Sequence, residues 1–477
     1  MVAILGANSV SGGYEVSNSL RFNNDDSAFL SLTQTAGNRR LLTFSTWLKR
    51  SSLGDQNIFN GGNSTSEFTA LYFTSADELF LYDYRGAEGM SLKLNRKFRD
   101  VSAWYHIVVA FDTTQSTASN RVKFYVNGVQ ETSFSSSNYP AQNLDLMLNV
   151  NSSFTTRIGR YPTSSSLYFD GYMCETAVVE DSQLDPTSFG EFDDNNVWIP
   201  KDLSDLTFGD EAFYLKYKQT GTSQNSSGIG ADSSGNDNHY AVSNFQAIDV
   251  TEDTCTNNFA TLNPMIRNRY SNSKEPEDGN CAVRFTDTNG NIGKEFSTFG
   301  VNSGKWYWEV KVPVVARAYV GVGYMQEMSA FTNPYYDNNP SKGFAINYNG
   351  QLEYDSTSTS YGSSLSNNDI VQIALDMDNH LCWFGINGTW QNSATQSEIE
   401  NSTASNDATT KMGTQQNLNS GEFVFAFVSD PSSSGKASFD INFGNPTFSI
   451  SSSNNDGKYG NFEYAVPSGY YALCTKR

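Results

Sequence analysis

Residues 104–112 read "WYHIVVAFD" and residues 123–130 read "KFYVNGVQ". In the first phrase Tyr105, Ile107, Val109 and Phe111 fall on one face of a strand, with His106, Val108 and Ala110 on the other. That spacing predicts a strand with one face against a core. In the second, Val122, Phe124 and Val126 repeat the period, and Asn127-Gly128 supplies the positive φ angles of a tight type I′ hairpin. The phrase returns as "CWFGINGTW" at 382–390, again after an apolar strand closed by aspartate. One chain writing this unit twice predicts two antiparallel sheet structures.

Working outward, "LRFNN", "LTFSTWLKR", "FTALYFT" and "ELFLYDYRG" alternate short apolar segments with polar turns, the spacing of an antiparallel sandwich. A second such pattern starts near Cys281 and contains "KWYWEVKV", "AYVGVGYM", "KGFAINYNGQLEY", "DIVQIALDMDNHLCWFGINGTW" and "FVFAFVSD". Residues 201–280 are irregular and turn-rich, and read as an ordered connector. "DPTSFGEF", near 185–192, predicts one short helical turn, and the polar stretch 392–420 predicts a long surface loop. The last segment, 449–477, is too aromatic for a free tail and is expected to dock on the body. The expected organisation is therefore an N-terminal segment over 1–17 suited to attachment, a jelly roll over 18–200, the connector 201–280, a sandwich over 281–448 and the docking segment.

Composition agrees with an all-β chain of two antiparallel β-sandwich domains. A length of 477 residues exceeds what one core serves, and 26 Tyr, 32 Phe and 7 Trp among many Ser, Thr, Asn and Gly favour sheets and turns over helices. With 31 basic against 51 acidic residues the net charge is −20, and no Lys/Arg cluster could follow a phosphate backbone, which argues against a nucleic-acid partner. Cys174, Cys255, Cys281, Cys382 and Cys474 are odd in number and never form a C-x-x-C pair, so they read as reduced, mostly buried thiols. The start "MVAILGANSVSGGYEV" has no basic region and too short an apolar run for a signal peptide, so folding in a cytoplasm is expected. No apolar stretch approaches membrane-spanning length, and membrane insertion is not expected.

Three resemblances follow from the quoted residues. "LTFSTWLKR", "WYHIVVAFD", "VKFYVNGVQ", "TRIGR" and "FDGYMCETAVV" resemble, in order, the laminin-G-like, concanavalin A-like jelly rolls over roughly 18–190. "GKWYWEVKV", "YVGVGYM", "GFAINYNGQ" and "DIVQIALDMDNHLCWFGINGTW" resemble SPRY domains over roughly 281–448. "DPTSFGEFDDNNVWIPK", "DSSGNDNHYAVSNF", "TNNFATLNP" and "PSGYYALCTK" look like phrases of tail-associated and appendage proteins of marine bacteriophages. That third resemblance implies a virion location, assembly with other virion proteins and a homo-oligomer. It also reconciles cytoplasmic folding with a surface chemistry suited to sugars, because lysis releases the particle.

Catalytic patterns are missing their parts. Glucanases of concanavalin-like fold carry acids spaced as E-x-D-x-x-E; in "ETAVVE" Ala177 stands where the aspartate belongs, and Glu175 and Glu180 would face opposite ways in a regular strand. Asp376 and Asp378 share a face but close a strand before a turn, where Asp bonds local backbone. Of the three histidines, His106 reads as structural, while His239 and His380 lie in turn sequences. "GVNSGK" at 300–305 lacks P-loop spacing and has Trp306 where a hydroxyl must meet magnesium. No cofactor is expected; Ca²⁺ is the one ion considered, at "DSSGNDN" from Asp232 or "DDNN" at 193–196, and solvated turns are the preferred reading of both.

Binding remains. Sugars lie on aromatic faces and take hydrogen bonds from amides, hydroxyls and carboxylates. The candidates, read as loop-tip residues, are Tyr82 and Tyr84 in "YDYRG", Tyr335, Tyr336 and Asp337 in "PYYDNN", and Trp390 in "GTW". The sequence thus points to a non-enzymatic phage virion protein, a tail fibre or appendage component that binds a host-surface receptor, glycan or protein. The alternative is a capsid or tail decoration protein whose domains bind other virion proteins.

Overall fold

A computed structural model describes residues 3–4, 13–33, 37–64, 66–148, 154–162, 167–265, 276–285, 293–324, 343–354, 357–412, 418, 423–430 and 436–476. Nearly all regular structure is β, arranged in two compact units, Val10–Asn258 and Phe259–Arg477 with Met1–Ser9.

The first unit is a sandwich of two eight-stranded sheets. One sheet runs through Val129–Glu131, Val122–Val126, Tyr105–Asp112, Leu41–Arg50, Gly171–Glu180, Ser19–Phe22 and Val250–Thr251, with Phe213–Leu215 also paired to Gly171–Glu180. The other runs through Phe134–Asn138, Glu88–Lys97, Glu78–Arg85, Glu67–Phe73, Gln56–Ser64, Thr155–Ile158, Phe29–Leu32 and Ala241–Ser243. Their inner faces meet in a core in which Phe44 stacks on Phe59 with ring centroids 4.7 Å apart. Ile107, Val109 and Phe111 point into that core, as the period of two requires.

The other face of Tyr105–Asp112 is not open to water. Val108 is buried with Ala177, Val179, Phe189, Leu203, Phe208 and Tyr214, because the segment after Glu180 folds back over this sheet. His106 is held there too. Trp198 Nε1 donates to its Nδ1 at 3.0 Å, its Nε2 lies 2.9 Å from Ser45 Oγ, and the ring stacks on Trp47 at 4.6 Å. With Nδ1 accepting, the proton sits on Nε2 and the ring is neutral. Burial pushes the imidazole down to about 3.

Residues 201–280, read from the sequence as a connector, are divided between the units. Phe213–Leu215, Ala241–Ser243 and Val250–Thr251 add strands to the first sandwich. From Phe259 onward the chain belongs to the second unit.

That second unit again pairs two sheets. One runs Ala3–Ile4, Gly293–Val301, Val424–Asp430, Tyr319–Tyr324, Gly343–Asn347, Gln351–Tyr354 and Thr357–Ser360; the other runs Ala282–Arg284, Ser438–Asn442, Lys305–Val314, Asp369–Asp376, Leu381–Ile386 and Thr389–Trp390. Trp308, Val310, Val371, Ile373, Phe384 and Val428 fill the space between them. Tyr471–Ala472 adds in parallel to Lys305–Val314, and Phe462, Tyr470, Ala472 and Cys474 are buried against Tyr307 and Trp383.

The stretch 392–420, read as a long surface loop, holds two short helices among its described residues, Gln396–Glu400 and Ala408–Met412, the first opened by a Thr395/Glu398 capping box. Its few apolar side chains anchor it: Ile399 and Ala408 are wholly buried. "DPTSFGEF" holds a single 3₁₀ turn at Pro186–Ser188, capped by Asp185 accepting from the Thr187 amide at 3.1 Å.

The two Asn-Gly hairpins share their turn angles and the bonds that their asparagines make to the backbone. Asn127 and Gly128 have φ of +48° and +79°, Asn387 and Gly388 +48° and +81°. Asn127 donates its amide to His106 O at 2.9 Å and accepts from His106 N on Oδ1 at 2.7 Å. Asn387 does the same with Ile370, at 2.9 Å and 2.9 Å. Asp112 and Asp376 likewise close the preceding strands alike, each accepting from the amide two residues on at 3.0 Å.

Candidate functional site

The hairpin of Glu67–Phe73 and Glu78–Arg85 alternates strictly. Leu71, Phe73, Leu79 and Leu81 enter the core, so Phe68, Tyr72, Phe80, Tyr82 and Tyr84 project from the opposite face. In register, Phe68 lies across from Tyr84 and Tyr72 from Phe80. The rings form one continuous row: Tyr72–Phe80 5.2 Å, Phe80–Tyr82 5.3 Å, Tyr82–Tyr84 6.2 Å and Phe68–Tyr84 6.0 Å between centroids. Tyr161, arriving from beyond Thr155–Ile158, closes the row at 5.3 Å from Phe68 and 5.9 Å from Tyr72. Tyr72, Phe80, Tyr82, Tyr84 and Tyr161 all remain partly open to solvent.

Polar groups border the row. Lys93 pairs with Phe80 in the sheet and holds its ammonium 5.0 Å from that ring's centroid. Ser91 pairs with Tyr82 and shares a 2.9 Å hydroxyl contact with Ser136; Asn138 lies across from Ser91. Burial pushes the Tyr72 and Tyr82 hydroxyls up, and that of Tyr161 up to about 12. All three therefore keep their protons at neutral pH and can both donate and accept. The face offers flat apolar area with hydroxyl, amide and one cationic group at its margin.

Tyr82 and Tyr84 are thus brought together, but on a strand face and not at a loop tip. Trp390 belongs to the other unit and is tied down: its Nε1 donates to Gln396 Oε1 at 2.9 Å, and it packs against the buried cluster that includes Tyr307, Trp383 and Ile399. Tyr335, Tyr336 and Asp337 lie outside the described residues. Phe68, Tyr72, Phe80, Lys93 and Tyr161 were not picked out from the sequence. For the first three the signal was present, since "FTALYFT" and "ELFLYDYRG" place aromatics at the positions between the core leucines. Tyr161 carries no such signal, because only the fold brings it to Phe68.

The acids of "ETAVVE" are engaged internally. A bulge between Cys174 and Ala177 puts Glu175 at φ +50°, and its buried carboxyl accepts a hydrogen bond from the Tyr214 hydroxyl on the outer side of the sheet. Burial raises that carboxyl to about 7. Glu180 instead accepts from the Asn38 and Glu211 amides at 2.7 and 2.8 Å.

Asp376 accepts from the Asp378 and Asn379 amides, and Asp378 from Gly304 N at 2.7 Å. Asp232 accepts from the Tyr214, Ser234 and Asn238 amides, and Asp193 from those of Asn195 and Val197. These carboxylates serve backbone amides. Among the described residues no group of three or more His, Cys, Asp or Glu side chains could hold a metal ion, and no helix is long and apolar enough to cross a membrane. In the second unit a cleft of about 640 Å³ is lined by Ser303, Lys305, Trp306, Asp378, Tyr471 and Lys476.

Comparison with known families agrees with this architecture. Residues 22–185 match the concanavalin A-like lectin/glucanases superfamily, and residues 305–403 match the SPRY domain. The chain therefore carries a concanavalin A-like domain followed by a SPRY domain. No curated protein matches the sequence. Among solved structures, the native heptameric SAP-like pentraxin from Limulus polyphemus is similar at 18% identity over 36% of this chain and 80% of its own, with a TM-score of 0.28. The SPRY domain of human HERC1 is similar at 18% identity over 38% of this chain and 96% of its own, with a TM-score of 0.26.

Proposed function

We propose that this chain is a non-enzymatic binding protein of a bacteriophage virion, a tail fibre or similar appendage whose first sandwich grips glycans on the host surface. One observation carries the binding reading: the unbroken row Tyr72, Phe80, Tyr82, Tyr84, Phe68 and Tyr161, bordered by Lys93, Ser91 and Asn138. Pyranose rings present apolar C–H faces and a rim of hydroxyls, so they stack on such rings while the phenolic and amide groups meet the rim. A sheet supplies rigidity, so little order has to be gained on binding. A single site of this kind is weak, and repetition in a homo-oligomer raises the effective concentration at a cell surface. The virion assignment rests on the appendage-like phrases between and after the sandwiches, and it implies other virion proteins as partners.

The test is a glycan array followed by titration of the best binder with the full chain and with Tyr82→Ala/Tyr84→Ala. Loss of two stacking faces should weaken binding roughly 30- to 100-fold in a chain that still folds, taking about 1 kcal/mol or more for each aromatic contact. A wild-type chain that binds no glycan, or a double variant that binds as tightly, overturns the reading.

A second reading is favoured by the cleft beside Trp306 and Tyr471. With Lys305, Lys476 and Asp378 it suits a peptide segment, as expected of a decoration protein that binds other virion proteins. Retention on disassembled particles, abolished by Tyr471→Ala and insensitive to Tyr82→Ala/Tyr84→Ala, would favour it.

A further inference from the structure

The end of the first unit is a strap, and one of its cysteines meets a partner. Val250–Thr251 pairs with Ser19–Leu20, and Asp253, Thr254, Thr256 and Asn257 are buried. Lys49, itself buried, forms an ion pair with Asp253 and bonds Asn258 Oδ1 at 2.9 Å while its ammonium lies 4.7 Å from the Tyr172 ring centroid. Thr254 Oγ1 donates to Val16 O at 3.1 Å, and Val16 N donates to Thr256 Oγ1 at 3.1 Å. Cys255 is therefore fixed from both sides. Its Sγ lies 3.7 Å from Sγ of Cys174, which is fully buried in Gly171–Glu180 opposite Trp47.

We propose that Cys174 and Cys255 are a dithiol built to be oxidised to a disulfide that staples this strap to the sheet. Both sulfurs are free, and they must close from 3.7 Å to the roughly 2.05 Å of an S–S bond. Cys255 is partly open to solvent and is the point of entry; Cys174 is enclosed by Val16, Trp47 and Trp198 and can react only with its neighbour. The oxidant is a low-molecular-weight disulfide. The Cys255 thiolate attacks one of its sulfurs and expels one thiolate, leaving a mixed disulfide; the Cys174 thiolate then attacks Cys255 Sγ and expels the second. Two electrons and two protons pass from the protein dithiol to the oxidant, which departs as two thiols. Burial pushes the Cys255 thiol well up, with Cys174 and Glu175 adding to the rise, so the exchange is slow at neutral pH and faster in mild alkali. The pair stays reduced in a cytoplasm and links once the chain meets an oxidising milieu.

The experiment incubates the folded full chain with oxidised glutathione at about pH 8.5. It then counts thiols, maps peptides by mass spectrometry and records thermal unfolding. The thiol count should fall from five to three, with Cys174 linked to Cys255. Because the bond closes a separation of 81 residues, the Tm of the first unit should rise by about 10 °C and return on adding dithiothreitol. Cys255→Ser, and independently Cys174→Ala, should keep the reduced-state Tm within a few degrees and lose the oxidative rise. Five remaining thiols, glutathione left on Cys255 without a protein cross-link, or a cross-link between other cysteines would overturn the proposal.

Discussion

The two Asn-Gly hairpins share their turn angles, their asparagine bonds and even a cover, yet what lies around them differs. Gly128 sits under the Trp198 ring, where a Cβ would come within 2.3 Å of indole carbon, and Gly388 sits under Tyr464, at 2.9 Å. In the first sandwich the covered sheet is the one carrying the hairpin, and the opposite sheet keeps its aromatic row open. In the second, Trp390 on the hairpin's own return strand is tied to the short helix that follows. The difference teaches that a repeated phrase fixes a turn, whereas the use made of neighbouring aromatics depends on which later segment lies over them.

That comparison can be strained most by filling the space above each glycine. Gly128→Ala should destabilise the first unit by about 3 kcal/mol, from the positive φ together with displacement of an indole locked onto His106. Gly388→Ala should cost nearer 2 kcal/mol, because Tyr464 is only half-buried and its ring can swing away. Urea unfolding of the two variants checks both values, and equal costs would erase the distinction drawn between the covers.

A smaller effect separates the sandwiches by pH. The folded chain holds His106 near 3, against about 6.5 for an ordinary imidazole, so between those values the unfolded chain binds more protons. Stability from this site is whole above pH 6.5 and is lost as pH falls toward 3, amounting to about 2 kcal/mol at pH 5. Glu175 in the same unit offsets this trend over the same window, so the test is made in a Glu175→Gln background: thermal scans from pH 7 to 5 should show the first unit melting progressively earlier, and adding His106→Gln should flatten that slope.

The smallest expected change has the opposite sign. Glu175 titrates near 7 when folded and near 4.5 otherwise, so the folded chain binds more protons in that window and stability falls as pH rises through it. Glu175→Gln should therefore raise stability at pH 8 by about 1 to 2 kcal/mol, part of the linkage gain being offset by a weaker bond from Tyr214, and should change little at pH 4. Unfolding free energies at the two pH values test this; a variant less stable at pH 8 would mean that the charged carboxylate is favoured where it sits.

Much of the fold could be read from alternation. Ile107, Val109 and Phe111 declared the inner face of their strand, and Asn127-Gly128 and Asn387-Gly388 declared their turns, because both signals reside in neighbouring residues. Tyr82 and Tyr84 were visible for the same reason, though not their setting on a strand. Within 392–420 the polar composition gave no sign of the short helices Gln396–Glu400 and Ala408–Met412, whose buried residues include Ile399 and Ala408.

By itself the sequence determined the β class, the two hairpins and the two faces of Tyr105–Asp112, since each follows from backbone sterics and a period of two. Only the tertiary structure decided that the rear of Tyr105–Asp112 is sealed by Trp198, that Tyr161 completes the aromatic row and that Cys174 meets Cys255. Those meetings join residues tens of positions apart, and they arise from which surfaces exclude water together, a property no local window of sequence contains.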